Sequence, residues 1–329
     1  MKDSDPDLHL IRLLADGRFH SGGDLGEALG VSRAAIWKRL QRAAEAYGLS
    51  VESVRGKGYR LSRALDPLDP AVLEEALRGR AELHFQPVTQ STNADAMALA
   101  ADAGGPVVVT TEYQSAGRGR RGRQWQSPFG ANLYLSVLYQ LSGGFSSLGG
   151  LSLAAGVAVG RALADTVPEL GLGLKWPNDL LVDGAKLGGV LIELAGEMEG
   201  QVQVVVGVGI NVAMSDHQAE AIDQDWTDLR RASAAPPDRT RLATAVAGEL
   251  LTMLDRFAVD GFAPFTAAFD QMDVCRDRPV VIHSGAGQRT GVARGVSEDG
   301  ALRVRGTGEV AQAYHPAQEG LRRRILDLV

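Results

Sequence analysis

The residues best suited to chemistry lie in a run of arginine and glycine near the middle of the chain. This heptad, GRGRRGR from Gly117 to Arg123, has no acidic residue nearer along the chain than Glu112. Arginine offers paired donors to phosphate oxygens, and glycine lets the backbone approach a ligand closely. The heptad therefore predicts an anion-binding loop.

Two known phosphate-binding patterns do not fit this loop. The P-loop needs Gly-x-x-x-x-Gly-Lys-Ser/Thr, and the dinucleotide fingerprint needs a helix directly after its glycines, whereas here Pro128 and Gly130 precede a predicted strand. A disordered RGG-type RNA-binding run is the alternative for the heptad taken alone. Its position between two strands of a folded domain favours the anion-binding interpretation.

Two lysine-containing motifs form a second group. KWPND runs from Lys175 to Asp179, and KLGG runs from Lys186 to Gly189 after a predicted Asp183-Gly184 hairpin. Lysines that flank a strand pair beside glycines suit a site where a buried anion is neutralised, although each alone is consistent with a surface charge. A third motif, GVGIN from Gly207 to Asn211, ends a predicted strand over 202–206, where Gly-x-Gly is also consistent with packing alone.

The elements that must position these motifs form a mixed α/β (α+β) pattern, with a sheet linked mainly by hairpins. In chain order we predict helix 71–77, strand 83–88, a helix from Ser91, strands 107–112 and 132–139, a helix over about 147–165, strands up to Val208, and helices 241–257 and 263–271. Short strands over 279–283, 289–295 and 301–305 are separated by Ser/Gly turns, which predicts a small β-barrel.

The first 63 residues predict a DNA-binding unit. Ser21 and Ser32 are suited to begin two helices that are separated by three residues including Gly30, the spacing of a helix-turn-helix. Two predicted strands, 49–54 and 59–61, are joined by the cationic tip RGKG. The second helix and the hairpin together are suited to grip duplex phosphates and the major groove. A small solvated bundle with incidental basic residues is the alternative.

Composition and charge limit the class of protein. Up to Arg63 there are 11 Lys and Arg against 8 Asp and Glu, and beyond it 23 against 32, so a basic unit precedes an acidic one. The single cysteine, Cys275, cannot form an internal disulfide, and the chain has neither an apolar signal segment nor a run long enough to span a membrane. We expect a cytoplasmic protein of 329 residues with domains 1–64, 65–275 and 276–329.

Taken together, the motifs resemble those of the biotin protein ligases over almost the whole chain. The resemblance rests on Ser91-Thr92-Asn93, on Gln114 ahead of the heptad, on WQSPFGANLY from Trp125 to Tyr134, and on the three later motifs. SRAAIWK from Ser32 to Lys38 and GKGY from Gly56 to Tyr59 resemble the bifunctional members, in which the ligase also represses biotin synthesis genes.

The resemblance implies a fold and a two-step reaction. The fold is an N-terminal winged helix-turn-helix, a central mixed-sheet domain like the class II synthetases, and an SH3-like C-terminal β-barrel. In the reaction, biotin and ATP give biotinyl-5'-adenylate and pyrophosphate, and biotin then passes to a lysine of the biotin carboxyl carrier protein of acetyl-CoA carboxylase. Mg²⁺ is expected to bind mainly through ATP oxygens. A ligand-sensing winged-helix regulator without ligase activity and a lipoate-type ligase are the alternatives.

The resemblance also implies roles for individual residues. Biotin contacts are expected at Ser91, Thr92, Asn93, Gln114, Arg118, Gly119, Arg120, Lys186 and Gly189. Contacts with ATP or the adenylate are expected at Arg121, Arg123, Trp125, Asn178 and Asn211, with Trp125 stacked on adenine. Lys186, Arg118 and Arg120 are the expected catalytic residues, since they would screen charge as the biotin carboxylate attacks the α-phosphate. No metal cage made of protein alone is expected, although Asp179 is suited to orient Lys186 or the metal.

The DNA-binding role is expected at Ser32, Arg33, Trp37, Lys38, Gln41, Arg42, Arg55 and Lys57. In the family, ordering of the arginine loop by the adenylate promotes a homodimer that can meet a two-fold operator. The C-terminus departs from the family pattern Gly-Asp/Glu-Val/Ile-Ser-Leu-Arg, because QEGLR from Gln318 to Arg322 follows Tyr314-His315-Pro316. The role of the divergent segment Glu319-Gly320-Leu321-Arg322 is left open.

Overall fold

A computed structural model describes residues 6–196, 200–235, 237–284, 287–306, 312–314 and 326–328. In these residues, three sheets follow one another along the chain, with two, seven and five strands. Within the described residues, no helix combines the length and the apolar composition that crossing a membrane requires.

The N-terminal unit contains α1 Pro6–Leu13, α2 Gly22–Leu29, α3 Arg33–Tyr47, β1 Val51–Val54 and β2 Gly58–Leu61, in which the two helices of the helix-turn-helix and the hairpin follow the predicted order. Ser21 and Ser32 accept hydrogen bonds from the backbone N–H three residues ahead, which satisfies a free donor at the start of α2 and of α3. The hairpin begins at Val51 rather than the predicted 49, because the N–H of Leu49 caps α3 by bonding to Ala44 O at 2.9 Å.

The central part contains the elements that build the candidate site. They are α4 Pro70–Leu77, β3 Glu82–Thr89, α5 Thr92–Leu99, β4 Val107–Gln114, β5 Asn132–Ser142, α6 Leu151–Thr166, β6 Leu172–Lys175, β7 Asp179–Val182, β8 Ala185–Gly196, β9 Gln201–Asn211, α7 Asp216–Ala219, α8 Leu229–Ala232, α9 Arg239–Asp260 and α10 Thr266–Met272. The sheet order is β3-β4-β5-β9-β8-β7-β6, with β3 parallel to β4 and the other neighbours antiparallel. The mixed, mainly hairpin-linked sheet is therefore confirmed.

Among the central elements, α6 and β9 differ most from the expected ones. Helix α6 begins at Leu151 instead of about 147, because Phe145–Leu148 forms a short 3-10 turn and Gly150 takes the left-handed conformation before the helix. Strand β9 continues to Asn211 instead of ending at 206. Gly207 and Gly209 are therefore paired residues within the strand. Other side chains pack where a Cβ atom of either glycine would lie.

The core of the central sheet has two faces that follow the alternation of the strands. Val204 and Val206 of β9 pack with α6 and α9 on one face, and Val205 packs with Ala96 of α5 on the other. All three valines are completely buried. Because α5 covers the second face, its N-terminus lies beside the strands that line the candidate site.

The C-terminal part is a small antiparallel sheet of β10 Pro279–Ser284, β11 Gly287–Val296, β12 Leu302–Arg305, β13 Gln312–Tyr314 and β14 Leu326–Leu328. The strand order is β13-β12-β11-β10-β14, so β13 and β14 lie at opposite edges. Among the described residues these edges do not pair with each other, and the expected closed barrel is not confirmed.

A buried ion pair fastens the segment before α4 to the central sheet. Arg239 and Glu112 are 2% and 3% exposed, and Nη1 of Arg239 lies 2.7 Å from Oε2 of Glu112. Arg239 also donates to the carbonyls of Asp66 and Asn132, and Oε1 of Glu112 accepts from the N–H of Leu68 at 2.6 Å. Both charges are thus hydrogen-bonded, as burial in a low-dielectric interior requires.

We predict that Glu112→Gln lowers the free energy of unfolding by about 3 kcal/mol, because it leaves the buried Arg239 cation without its counter-charge. The matched control is Asp260→Asn, which removes a carboxylate from the exposed pair with Arg256 and should cost less than about 0.5 kcal/mol. Urea denaturation measures both. Equal stability losses for the two variants would show that the buried pair is not a major constraint.

Candidate functional site

A cavity of about 750 Å³ opens where α5, β4, β8 and β9 meet the arginine heptad. Every residue for which the sequence predicts a biotin or nucleotide role lines it: Ser91, Thr92, Asn93, Gln114, Arg118, Gly119, Arg120, Arg121, Arg123, Trp125, Asn178, Lys186, Gly189 and Asn211. Residues from separate regions of the chain therefore form one site.

A buried polar cluster occupies one side of the cavity, at the start of α5. Oε1 of Gln114 accepts from the N–H of Thr92 at 2.9 Å, and Nε2 of Gln114 donates to Oγ of Ser127 at 3.0 Å. Oγ of Ser136 lies 2.7 Å from Oγ1 of Thr92 and 2.6 Å from Oδ1 of Asn93. Ser91 is buried and begins α5 without capping it through its side chain. These groups can fix the orientation of a polar ligand edge.

Lys186 is held over the cavity by two neighbours. Its Nζ lies 2.7 Å from Oδ1 of Asp179 and 5.7 Å from the ring centroid of Trp125. The positions follow from the hairpin of β7 and β8, which is closed by Asp183 and Gly184, both at positive φ. The ammonium is therefore oriented by a carboxylate that starts β7, and it stays 18% exposed toward the cavity.

The heptad is anchored to the sheet through two of its arginines. Nη1 of Arg120 donates to Oδ1 of Asn178 at 3.1 Å, and Nη2 of Arg118 lies 3.1 Å from Oε2 of Glu193. Burial, followed by the charge of Arg121, lowers the pKa of the Arg120 guanidinium from its ordinary value. An anion in the cavity would relieve this repulsion.

The heptad forms a compact loop in this structure. The N–H of Gly119 donates to Arg123 O at 2.7 Å, and Arg118 bridges Gln124 in antiparallel fashion. Arg121 has φ of 60°, a left-handed conformation that is costly outside glycine and is typical of functional loops. The loop therefore has definite internal contacts and is not a featureless RGG run.

The glycines of β9 bring side chains close to the sheet. A Cβ atom on Gly207 would lie 2.1 Å from Oδ1 of Asn93, and one on Gly209 would lie 2.7 Å from the Trp125 ring. The sequence left a purely packing role open for GVGIN, and the structure shows that this packing seats two residues of the site. Asn211 ends the strand and donates through Nδ2 to Thr227 O at 3.0 Å.

The candidate DNA-binding face lies on α3 and the β1–β2 hairpin. All eight predicted residues are exposed there: Ser32, Arg33, Trp37, Lys38, Gln41, Arg42, Arg55 and Lys57. Some of them also make internal contacts: Ser32 caps α3, the ring of Trp37 stacks on Tyr59 at 5.6 Å, Arg42 pairs with Asp7, and Nζ of Lys57 lies 5.8 Å from the centroid of the Phe19 ring. Trp37 therefore braces the hairpin against α3 as well as lying on the outward face.

Comparison with known proteins matches the N-terminal unit and the central domain to two different family models. A family model for biotin/lipoate A/B protein ligases matches residues 83–211, and an HTH domain model matches residues 7–60. The Escherichia coli protein "Bifunctional ligase/repressor BirA" is 40% identical over 305 residues, which cover 92% of this chain and 93% of that protein. The chain belongs to the bifunctional ligase/repressor BirA family.

Other relatives cover the ligase part. The "Biotin--[acetyl-CoA-carboxylase] ligase" of Mycobacterium tuberculosis is 42% identical over 198 residues, 57% of this chain and 71% of that protein. The solved structure "Biotin protein ligase from Aquifex aeolicus in complex with biotin and ATP" matches with a TM-score of 0.61 at 27% identity, covering 74% of this chain and 99% of that one. The central fold is thus shared with proteins whose names state the ligase activity.

Sequence reasoning missed one wall of the cavity. Residues 221–226 line it, and they join β8 through backbone bonds from Lys186 N to Asp225 O at 3.0 Å and from Thr227 N to Lys186 O at 2.9 Å. Trp226 belongs to this wall, with the guanidinium of Arg231 4.1 Å from its ring centroid. A tryptophan inside the polar segment DQDWTD was the available signal.

Sequence reasoning identified Asp179 as a partner of Lys186 but missed two other partners of the predicted residues, Glu193 and Ser136. Glu193 accepts from Asn93 at 2.7 Å as well as pairing with Arg118, and Ser136 joins Thr92 to Asn93. Each stands out along the chain as a polar residue within an apolar strand. Their role becomes visible only when β5 and β8 lie beside α5.

The described residues offer neither an activated thiol nor a cluster of metal ligands. Cys275 is a free, buried thiol whose pKa is raised to about 12 by burial, so it is not an activated nucleophile. In the part of the chain that the structure describes, no group of three or more His, Cys, Asp or Glu is arranged to hold a metal ion. The divergent residues Glu319-Gly320-Leu321-Arg322 lie outside the described residues.

We predict that Gly209→Ala displaces Trp125, because the added methyl group meets its ring at less than contact distance. Such overpacking should lower the free energy of unfolding by about 1–3 kcal/mol and change the tryptophan emission spectrum. Gly104→Ala is the control, since nothing lies within 4 Å of the added Cβ there. An unchanged spectrum in Gly209→Ala would contradict the packing of Trp125 on β9.

Proposed function

We propose that this chain is an ATP-dependent biotin protein ligase and a repressor of biotin synthesis genes. In the first step, a biotin carboxylate oxygen bonds to the α-phosphorus of ATP and the bond to pyrophosphate breaks. In the second, a lysine amine of the biotin carboxyl carrier protein attacks the acyl carbon of the adenylate, loses a proton and releases AMP. The names of the E. coli, M. tuberculosis and A. aeolicus relatives support this chemistry.

The biotin side of the proposal rests on the buried polar cluster. Biotin has an apolar ring system with one ureido edge, so its pocket needs few, well-placed hydrogen-bonding groups. Ser91, Thr92 and Gln114 supply such groups at the start of α5, and Asn93 is held by Ser136 and Glu193. Gly119 and Gly189 line the same cavity, where they leave room for ligand close to the backbone.

The nucleotide side rests on the cations. Joining a carboxylate to a triphosphate brings two anions together, and fixed cations stabilise the charge that develops on pyrophosphate. Lys186, Arg118 and Arg120, which line the cavity, are the proposed cations for this role, and the proposed adenylate contacts are Arg121, Arg123, Asn178 and Asn211. Trp125 is the proposed stacking surface for adenine. Its buried Nε1 has no hydrogen-bond partner within the described residues, so it is available to donate to an acceptor atom of the ligand.

Mg²⁺ fits this site as an ion carried in by ATP. It would screen the triphosphate charge, and Asp179 is the carboxylate of the lysine motifs that could meet it or its water. Asp179 also orients Lys186, because its Oδ1 lies 2.7 Å from Nζ of Lys186. The residues of the cavity therefore bind and orient the reactants, and the carboxylate of biotin is the nucleophile.

We further propose the operator DNA role, a homodimer in the adenylate-bound state, and the domain limits 1–64, 65–275 and 276–329. The exposed basic residues of α3 and the hairpin support the DNA role, and the HTH match supports it independently. A two-fold dimer would place two such faces on two half-sites. Closure of the C-terminal sheet into an SH3-like barrel belongs to the same proposal.

One observation carries the ligase proposal, namely that the polar cluster and Lys186 line a single cavity. The test is ATP–pyrophosphate exchange with biotin or with lipoate. We expect exchange that depends on biotin. Exchange with lipoate alone would favour the lipoate-type alternative, and no exchange with either would favour a regulator that only senses its ligand.

We predict that Lys186→Ala lowers the rate of biotin-dependent exchange by about 100-fold or more, because it removes a pre-oriented donor from the developing charge. The melting temperature of the variant, measured in parallel, serves as the control for folding. Exchange close to the wild-type rate would refute the catalytic role of Lys186.

We predict that the double variant Arg55→Ala, Lys57→Ala weakens binding to duplex DNA and reduces the slope of log affinity against log salt by about 2, as expected for two lost phosphate contacts. Fluorescence anisotropy across a salt series measures the slope. Asp260→Asn, on α9, is the control. An unchanged slope in the double variant would remove the hairpin from the DNA interface.

A further inference from the structure

A buried hydrogen bond joins the KWPND motif to the C-terminal sheet. Nε1 of Trp176 donates to the carbonyl oxygen of Gly300 at 3.2 Å, and the indole is 1% exposed. Gly300 lies in the turn between β11 and β12, 124 residues away along the chain. The contact therefore links a motif of the cavity to a turn, 297–300, whose own residues do not line that cavity.

The backbone of this turn also touches the N-terminus of α6 without intervening side chains. A Cβ on Gly300, whose φ is +80°, would lie 2.4 Å from the Cα of Gly150, and a Cβ on Gly149 would lie 2.8 Å from Asp299 O. The turn is closed by hydrogen bonds between Ser297 and Ala301. A rigid turn is thus packed against both α6 and Trp176.

Helix α6 contacts the same motif from a second direction. Oγ of Ser152, in the first turn of α6, donates to Pro177 O at 2.5 Å. Trp176 and Pro177 are therefore held by the C-terminal turn and by the helix on which that turn packs. These two contacts fix the backbone directly before Asn178.

Asn178 transmits this position to the heptad. Its Oδ1 accepts from Nη1 of Arg120 at 3.1 Å, and its Nδ2 donates to Val190 O at 2.8 Å. Both bonds need the amide in one orientation, because one uses its oxygen and the other its nitrogen. A shift of the backbone at Trp176 would move Asn178 away from one of these partners.

We propose that the C-terminal turn 297–300 is a positioning element for the nucleotide side of the site, acting through Trp176 on Asn178 and Arg120. The inference rests on the proposed ligase function. Trp176 and Gly300 are positioning residues: Trp176 lines the cavity but is only 1% exposed, Gly300 does not line it, and both act through Asn178. The polar cluster at the start of α5 is held by other contacts, so biotin binding, in which Arg120 is one of nine expected contacts, should depend on this turn much less than ATP binding does.

The experiment compares Trp176→Phe with the wild-type chain. The variant keeps an aromatic ring and removes the N–H donor, whereas the control, Tyr139→Phe, removes an aromatic donor to Asp255 on the remote α9. KM for ATP is measured by pyrophosphate exchange, and Kd for biotin by titration calorimetry. We expect KM for ATP to rise about tenfold in Trp176→Phe, with less than a twofold change in Kd for biotin and no change in the control.

A second variant, Gly300→Ala, displaces the turn itself, because the added methyl group would collide with the backbone of Gly150. It should raise KM for ATP as Trp176→Phe does, and the double variant should be little worse than either single one, because both break the same link. An unchanged KM for ATP in Trp176→Phe, or an equal loss of ATP and biotin binding, would overturn the inference. Absence of biotin-dependent exchange in the wild-type chain would instead overturn the proposed function.

Discussion

The site depends on holding several cations close together in a partly buried cavity before any anion is bound. Like charges at this spacing repel, and desolvation adds to the cost, as the lowered pKa of Arg120 shows. The fold meets this constraint with an acceptor for each of three cations. Asp179 holds Lys186, and Glu193 holds Arg118. Asn178 holds Arg120 without adding charge, which leaves net positive potential for a phosphate.

These acceptors come from β7, β8 and the turn before β7, so the central sheet is the platform of the site. The heptad itself has no regular secondary structure beyond one short turn and relies on that platform. The same platform is fixed to the segment before α4 through the buried pair of Arg239 and Glu112 and to the C-terminal sheet through Trp176. Buried polar contacts therefore join this platform to the chain segments that precede and follow it.

Much of this arrangement was visible in the sequence, because caps, hairpin residues and charge patterns are local. Ser32 begins α3 as predicted, and Asp183-Gly184 closes the β7–β8 hairpin. Many residues of the cavity were also found, since their residue types mark anion chemistry, whereas the wall 221–226 was not. Among the partners, Asp179 was expected beside Lys186, and Glu193 and Ser136 were not. Glu193 faces Arg118 only because β8 lies beside the heptad, and Arg239 precedes the residue at which the predicted helix began. Long-range pairing of this kind has no local signal in a single sequence.

The central claim is that the cavity is pre-arranged for the phosphate of an acyl-adenylate. The most direct measurement is titration calorimetry of the wild-type chain with biotin and with a non-hydrolysable analogue of biotinyl-5'-adenylate. The account predicts that the analogue binds at least about 100-fold more tightly than biotin, because charge-assisted hydrogen bonds to the held cations are added. An analogue that binds no more tightly than biotin would contradict it.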